Sequence, residues 1–294
     1  MKQIDPSSFK VTTNTNQKST STKLNLEESE KNVKKELRKV RKELGSWQDT
    51  FYAYGKYAVL ICFQGMDAAG KDSLIREVFK DFNSRGVVVH SFKVPSEKEL
   101  KHDFLWRHYI ALPERGKFGV FNRTHYENVL VTRVHPRYIL NENLPGIDST
   151  KDIDQNFWDE RLANIRQFEE HIADNGMIIF KFFLHLSKEE QRQRLLRRLD
   201  KPNKQWKFSP GDLEERKLWG EYQKHYEEAI NNTSTEKAPW YIIPADDKAT
   251  ARYLVANILC EELKKYEEIK EPELDPEVKK NLAEYREQLK KEKN

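Results

Sequence analysis

The sequence predicts an α/β protein: three α/β/α layers on a central parallel sheet of five strands, with a basic helical lid and added N- and C-terminal helices. Three observations carry this. Short apolar runs alternate with stretches of helical period through the middle of the chain. The spacing between successive runs leaves room for a right-handed crossover between parallel neighbours. The first run leads through a glycine-rich loop directly into a helix, an arrangement suited to binding phosphate.

The 294 residues can bury one sizeable core plus appendages. Charged residues make up 34% of the chain and the net charge is only +4, so positive charge matters only where it is clustered. Cys62 and Cys260 offer neither a disulfide framework nor metal-ligand spacing; both read as core fillers and suit a reducing compartment. The start of the chain, Met1 to Pro6, lacks the apolar segment of a secretory signal, and no apolar run approaches the ~20 residues of a membrane helix. A cytoplasmic protein is expected.

Residues 1–25 are rich in Ser, Thr, Asn and Lys without apolar period, and are expected to be a flexible arm, loose or draped over the core. A charged helical extension follows over 26–54, with Leu37, Val40, Leu44 and Trp47 on one stripe. The core is expected over 55–268. Its first strand runs from Tyr57 to Phe63, and the helix after the loop carries Leu74, Ile75, Val78, Phe79 and Phe82. Val87 to Val94 reads as the second strand, stopped by Pro95. Glu97 to Leu112 reads as one helix whose Trp106 and Arg107 could line a cleft. Lys117 to Phe121 is the third strand, 136–153 a loop and 155–173 a long helix. Met177 to Leu186 is apolar enough to be a central strand, with Lys181 read as a strand-edge charge and His185 as a satisfied core histidine. Trp240 to Pro244 is the fifth strand, followed by an amphipathic helix from Ala249 to Lys265 and a charged helical tail over 269–294.

The loop Gly65-Met66-Asp67-Ala68-Ala69-Gly70-Lys71-Asp72-Ser73 carries the chemistry. Gly65, Gly70 and Lys71 match most of a phosphate-loop pattern, in which glycines let backbone N–H groups approach a polyphosphate and the lysine reaches its outer oxygens. Ala68, Ala69 and Ser73 complete the candidate cradle. Two positions depart from the pattern. Asp72 stands where a hydroxyl normally holds Mg²⁺, and Asp67 puts a carboxylate inside a loop meant for an anion. That carboxylate repels phosphate unless bound Mg²⁺ reverses the local sign; Asp67 could then also orient or deprotonate an attacking phosphate oxygen. The plain alternative is a glycine turn with an ordinary surface Asp.

In an open parallel sheet, ligands bind beyond the carboxyl ends of the strands, so Asn122-Arg123-Thr124-His125-Tyr126-Glu127 should face Lys71. Asn122 occupies a position where Asp commonly helps hold Mg²⁺, which shifts that duty toward Asp67. Arg123 and Arg133 can grip phosphates bidentately, salt bridges to surface acids being the alternative. The helix opened by Ser187 becomes densely basic at Arg192, Arg194, Arg197 and Arg198. Beyond it Pro202, Pro210 and Gly211 break the chain, while Trp206 and Phe208 tack it down. This is the makeup of a basic lid over about 190–218, closing on a phosphate loop. The alternative is a solvated hairpin whose charges pair with Glu214, Glu215 and Glu221.

The phosphate loop, the segment Asn122 to Val131, the lid text from Arg197-Arg198 to Lys207-Phe208-Ser209-Pro210, and Pro244-Ala245-Asp246-Asp247-Lys248 together resemble the family-2 polyphosphate kinases from about residue 30 to 268. The resemblance implies a P-loop kinase core similar to thymidylate kinase. It implies reversible phosphoryl transfer between inorganic polyphosphate and nucleotides with Mg²⁺, for which Mn²⁺ could substitute. Carried onto matching positions, it makes Asp67 the catalytic and metal-coordinating carboxylate and Lys71 a phosphate holder. Arg123, Arg133 and Arg198 would stabilise the transferring group, and Lys204 and Lys207 would line the polyphosphate path. Many members have Asp at the position of Asn122 and another residue at that of Glu127. The Asn…Glu form looks like the branch that accepts nucleoside monophosphates as well as diphosphates, with adenine and also guanine nucleotides as partners. A homo-oligomer is expected.

Two other readings cover part of the sequence. An ATP-dependent nucleoside monophosphate kinase would share the fold, the lysine and a lid, but would more often keep Ser or Thr after Lys71, and a short lid would suffice. A nucleic-acid-binding protein could use basic residues interleaved with Trp206 and Phe208. A binding module has no need of Asp67 in its anion loop, so neither nucleic acid nor a membrane is expected as a partner.

Overall fold

Strands β1 (Ala58–Gln64), β2 (Val87–Ser91), β3 (Phe118–Asn122), β4 (Met177–His185) and β5 (Trp240–Pro244) form one all-parallel sheet in the order β2-β3-β1-β4-β5. The computed structural model describes residues 4–12, 15–16 and 19–292. The five strands and their parallel pairing are those the apolar runs predict.

Twelve helices accompany the sheet among the described residues: α1 (Glu30–Tyr54), α2 (Lys71–Val78), α3 (Glu97–Leu100), α4 (Trp106–Tyr109), α5 (Glu127–Val134), α6 (Gln155–Asp174), α7 (Lys188–Asp200), α8 (Pro202–Gln205), α9 (Gly211–Lys217), α10 (Trp219–Thr233), α11 (Lys248–Leu263) and α12 (Pro276–Lys291). The period-2 alternation of the central strands sorts them into two layers. Val59, Ile61 and Phe63 of β1, with Phe180 and Phe182 of β4, pack against α1, α2 and α11 through Leu37, Leu44, Leu74, Val78, Leu254 and Ile258. Phe183, Trp240 and Ile242 pack on the opposite side against α5, α6 and α10. Leu60 and Cys62 continue that side with Phe121 and Phe168.

Three local readings are corrected. The stretch expected as one helix over 97–112 is two single turns, α3 and α4. Ser96 opens α3 with a reciprocal capping box with Glu99. Asp103 then accepts from the Leu105 N–H at 2.9 Å, a local side-chain bond that competes with helix continuation. The second strand stops at Ser91 rather than Val94, because its neighbour β3 ends at the paired Asn122; Val94 is 91% exposed. Lys181 is no strand-edge charge. It lies fully buried in β4 between β1 and β5, its ammonium 2.5 Å from Glu169 Oε2, 3.0 Å from the Tyr126 hydroxyl and 2.8 Å from the Thr233 carbonyl. Glu169 sits on the packed face of α6.

Part of the amino-terminal segment lies along β5. Lys10 bridges Tyr241 in antiparallel sense, and the Val11 N–H donates to the Trp240 carbonyl at 2.8 Å, which covers an edge that would otherwise be open. His185 is buried, as expected, with Nε2 3.1 Å from the Thr20 carbonyl. Both cysteines are buried. At the other end, α12 has no buried residue. No helix among the described residues is long and apolar enough to cross a membrane.

Candidate active site

The phosphate loop turns sharply from β1 into α2. Gly65 has φ 152°, and a Cβ on it would lie 3.0 Å from the Leu184 carbonyl oxygen of β4, so any side chain there would be both strained and crowded. Gly70 has φ 102° and caps α2 without any side chain on its first amides. An anion is therefore free to take that helix end. Ala68 is left-handed at φ 63°, a conformation an L-residue holds at a cost. Lys71 folds its ammonium back into the loop, 2.5 Å from the Gly65 carbonyl and 3.5 Å from that of Met66. Burial, and then the Arg123 guanidinium, lower its pKa, while Asp67, Glu127 and Asp72 oppose the shift.

The carboxyl end of β3 faces this loop. Arg123 also has a left-handed backbone, φ 58°, which aims its guanidinium back at the loop; Nη2 lies 3.1 Å from Asp67 Oδ1. Asn122 Nδ2 donates to Asp72 Oδ1 at 2.7 Å, joining the end of β3 to the first turn of α2. Glu127, the first residue of α5, accepts from Gln64 Nε2 at 3.0 Å. Asp67, Lys71, Asp72, Asn122, Arg123 and Glu127 thus meet at one mouth, with Gly65, Ala68, Ala69, Gly70 and Ser73 forming its floor.

The other candidates lie further out. Arg133 pairs with Glu228 at 2.6 Å, its guanidinium 5.5 Å from the Trp158 ring centroid. Arg198 of α7 is tied to the segment that follows it, to Asp212 of α9 at 3.0 Å and the Lys207 carbonyl at 3.4 Å. Lys204 and Lys207 are exposed, the latter's ammonium 5.0 Å from the Trp206 ring centroid.

Sequence reasoning missed several supporting residues. Arg194, one basic residue among many in the text, is the buried brace of the site. It donates to the carbonyls of Ala68 (3.1 Å), Ala69 (2.7 Å), Ala245 (2.6 Å) and Asp246 (3.0 Å), and pairs with Glu190 at 2.8 Å. Gln191 Nε2 holds the Asp67 carbonyl at 2.9 Å. Arg216, from α9, reaches Gln191 Oε1 at 2.8 Å. Their signal would have been helical spacing: Gln191, Arg194 and Leu195 form the packed face of α7. Lys248 opens α11 beside Arg194, Arg197, Lys204 and Arg252; burial and then those cations push its pKa down to about 8.

The donor set fits Mg²⁺ arriving with phosphate. That ion is commonly held by one or two carboxylates plus substrate oxygens, without an all-protein cage. No group of three or more His, Cys, Asp or Glu among the described residues could hold a metal, yet Asp67, its side chain 34% exposed, and Asp72 flank the loop.

A parallel sheet of this order, a lysine-tipped phosphate loop between β1 and α2, and the basic helix α7 braced on that loop define a P-loop kinase. The chain belongs to the polyphosphate kinase 2 family: the family model described as "Polyphosphate kinase 2 (PPK2)" matches residues 27–271. An ADP-polyphosphate phosphotransferase of Rhodopseudomonas palustris is 47% identical over 262 residues, 89% of each chain. An AMP/ADP-polyphosphate phosphotransferase of Meiothermus ruber is 49% identical over 224 residues, 76% of this chain and 78% of the relative. The crystal structure of polyphosphate kinase 2 from Arthrobacter aurescens superposes with a TM-score of 0.88 at 32% identity, covering 97% of this chain and 98% of that one.

Proposed function

We propose that the chain transfers a phosphoryl group from inorganic polyphosphate to AMP and ADP, reversibly and with Mg²⁺ held at Asp67. The observation that carries this reading is the meeting of Asp67, Lys71, Arg123 and Glu127 at one mouth, in a chain of this family.

In the transfer, an oxygen of the acceptor phosphate forms a bond to the terminal phosphorus of the polymer. The bond from that phosphorus to the bridging oxygen breaks, and the polymer leaves one unit shorter. Little covalent chemistry falls to the protein, which positions the two phosphates and neutralises charge. Lys71 exchanges its loop carbonyls for phosphate oxygens, the stronger, charge-assisted partners. Arg123 exchanges Asp67 for the transferring group, which leaves the carboxylate to orient the acceptor oxygen. Mg²⁺ bound at Asp67, with Asp72 at hand, would neutralise developing charge on the phosphoryl oxygens. Closure of the lid would bring Arg198 inward, exclude water and set Lys204 and Lys207 along the polymer tail. A donor that carries about one charge per phosphate suits a cationic tract of this length better than a nucleotide triphosphate does.

The test is an assay of AMP and ADP separately, with GMP and GDP alongside, polyphosphate as sole donor and products resolved by chromatography. ADP and ATP as products support the reading; no phosphorylation of either adenine nucleotide contradicts it.

A further inference from the structure

Gln64 ends β1 one residue before the phosphate loop and is 1% exposed. The alternation that sends Val59, Ile61 and Phe63 toward α1, α2 and α11 sends Gln64 to the opposite face, where α5 begins. Its amide nitrogen donates both hydrogens to the β3–α5 connection: to Thr124 Oγ1 at 3.2 Å and to Glu127 Oε1 at 3.0 Å. A carboxylate oxygen and an amide oxygen repel, so the ionised Glu127 itself fixes which way the amide points. Thr124, fully buried, also accepts from the Tyr126 N–H at 3.1 Å, which locks the turn carrying both partners.

We propose that Gln64 is a positioning residue for acceptor choice: it pins one oxygen of Glu127 so that the other faces the acceptor phosphate, and thereby sets the ratio of AMP to ADP phosphorylation. This rests on the polyphosphate-to-nucleotide reading above. Glu127 faces Lys71 from α2, Arg107 from α4, Arg123 from the end of β3, and Tyr222 and Tyr226 from α10. Without a neutral donor at position 64, the carboxylate would swing toward those cations and pair with the guanidinium or ammonium needed for phosphate. A hydrogen bond to a charged group that holds one rotamer is enough to shift acceptor preference about tenfold.

The experiment is a double-mutant cycle read on both acceptors. Gln64→Met keeps the shape and removes the donor; Glu127→Gln removes the charge; the double variant combines them. kcat and KM are measured for AMP and ADP with polyphosphate, with thermal denaturation as the check on folding. The account expects Gln64→Met to change the AMP-to-ADP ratio about tenfold, Glu127→Gln to change it in the same direction, and the double variant to add nothing further. A structural role alone would lower both acceptors equally and add to the Glu127 effect, and that result overturns the proposal.

Gln64→Glu supplies a second readout that a folding defect cannot imitate. Two carboxyls at hydrogen-bond distance share one proton, so one pKa rises. Below it, the protonated pair reproduces the donor and the wild-type ratio returns; above it, the two charges repel and the ratio moves toward that of Gln64→Met. A pH-independent ratio in this variant also overturns the proposal. Wild-type protein that transfers nothing from polyphosphate to either nucleotide would instead contradict the functional reading beneath it.

Discussion

The guanidinium of Arg123 lies 3.1 Å from the carboxylate of Asp67, an ion pair that joins the end of β3 to the phosphate loop across the mouth between them. The backbone of Arg123 is left-handed to make that reach, φ 58°. Strain of this kind concentrates at functional sites because the surrounding structure must hold it. Asp67→Asn removes the charge that pairs with Arg123 and would hold the metal. Transfer is expected to fall by at least about 10²-fold, as for loss of a fixed charge at a reacting phosphoryl group. Because Asp67 is partly exposed, the melting temperature should stay within a few degrees. Activity within a few-fold of wild type would remove Asp67 from the chemistry.

Arg194 fails differently. Its side chain is 4% exposed and holds four carbonyls, two in the phosphate loop and two after β5. Arg194→Ala leaves Glu190 without that partner and strips the loop of its brace, at about 3–5 kcal/mol. That is roughly a 10 °C fall in melting temperature. Arg194→Lys cannot span the four acceptors and should recover less than half of the loss. Denaturation profiles of the two variants check this, and a wild-type profile for Arg194→Ala would show that the loop holds its shape unaided.

Lys181 and Glu169 are a buried ion pair behind the site. Burial lowers the Lys181 pKa, with Glu169 opposing. Burial pushes the Glu169 carboxyl up, but Lys181 and His125 outweigh it and the net shift is down. Lys181→Met and Glu169→Leu should each cost about 3–5 kcal/mol, because each takes the ion-pair partner from a buried charge that keeps only its remaining hydrogen bonds, and the double variant should cost less than their sum. Urea denaturation of the three proteins measures the coupling. Strict additivity would mean that the two charges do not stabilise one another.

Lys204→Ala with Lys207→Ala should raise the KM for long polyphosphate, weaken its salt dependence and affect short chains less, since each phosphate contact releases counterions. Arg198, held by Asp212 of α9, should act on kcat at every chain length. Kinetics against chain length at two ionic strengths separate the roles; equal losses at all lengths would remove the polymer path.

The sheet and its phosphate loop were legible because each strand is built on a short apolar run and because strand, glycines, lysine and helix are adjacent in sequence. What was not legible depends on distant partners. Lys181 reads as a strand-edge charge until Glu169 is placed behind it. Arg194 cannot be told from Arg197 or Arg198 until the face of α7 that meets the loop is known. The break between α3 and α4 coincides with one side-chain bond, from the Leu105 N–H to Asp103 Oδ1, which helical period does not register. Gln64 lies one residue past the strand expected over Tyr57 to Phe63, and nothing in its neighbours in sequence points to the β3–α5 turn that it meets in the fold.

On the function proposed above, a polymeric phosphate rather than ATP feeds this phosphate loop. The direct measurement is ³¹P NMR of the wild-type protein with AMP and Mg²⁺, supplied in separate tubes with polyphosphate or with ATP at equal phosphate concentration. With polyphosphate, the account predicts a growing ADP β-phosphate signal as internal polymer phosphates decline, and at most slow turnover with ATP. Rapid conversion with ATP and none with polyphosphate would contradict it and place the protein among the nucleotide kinases.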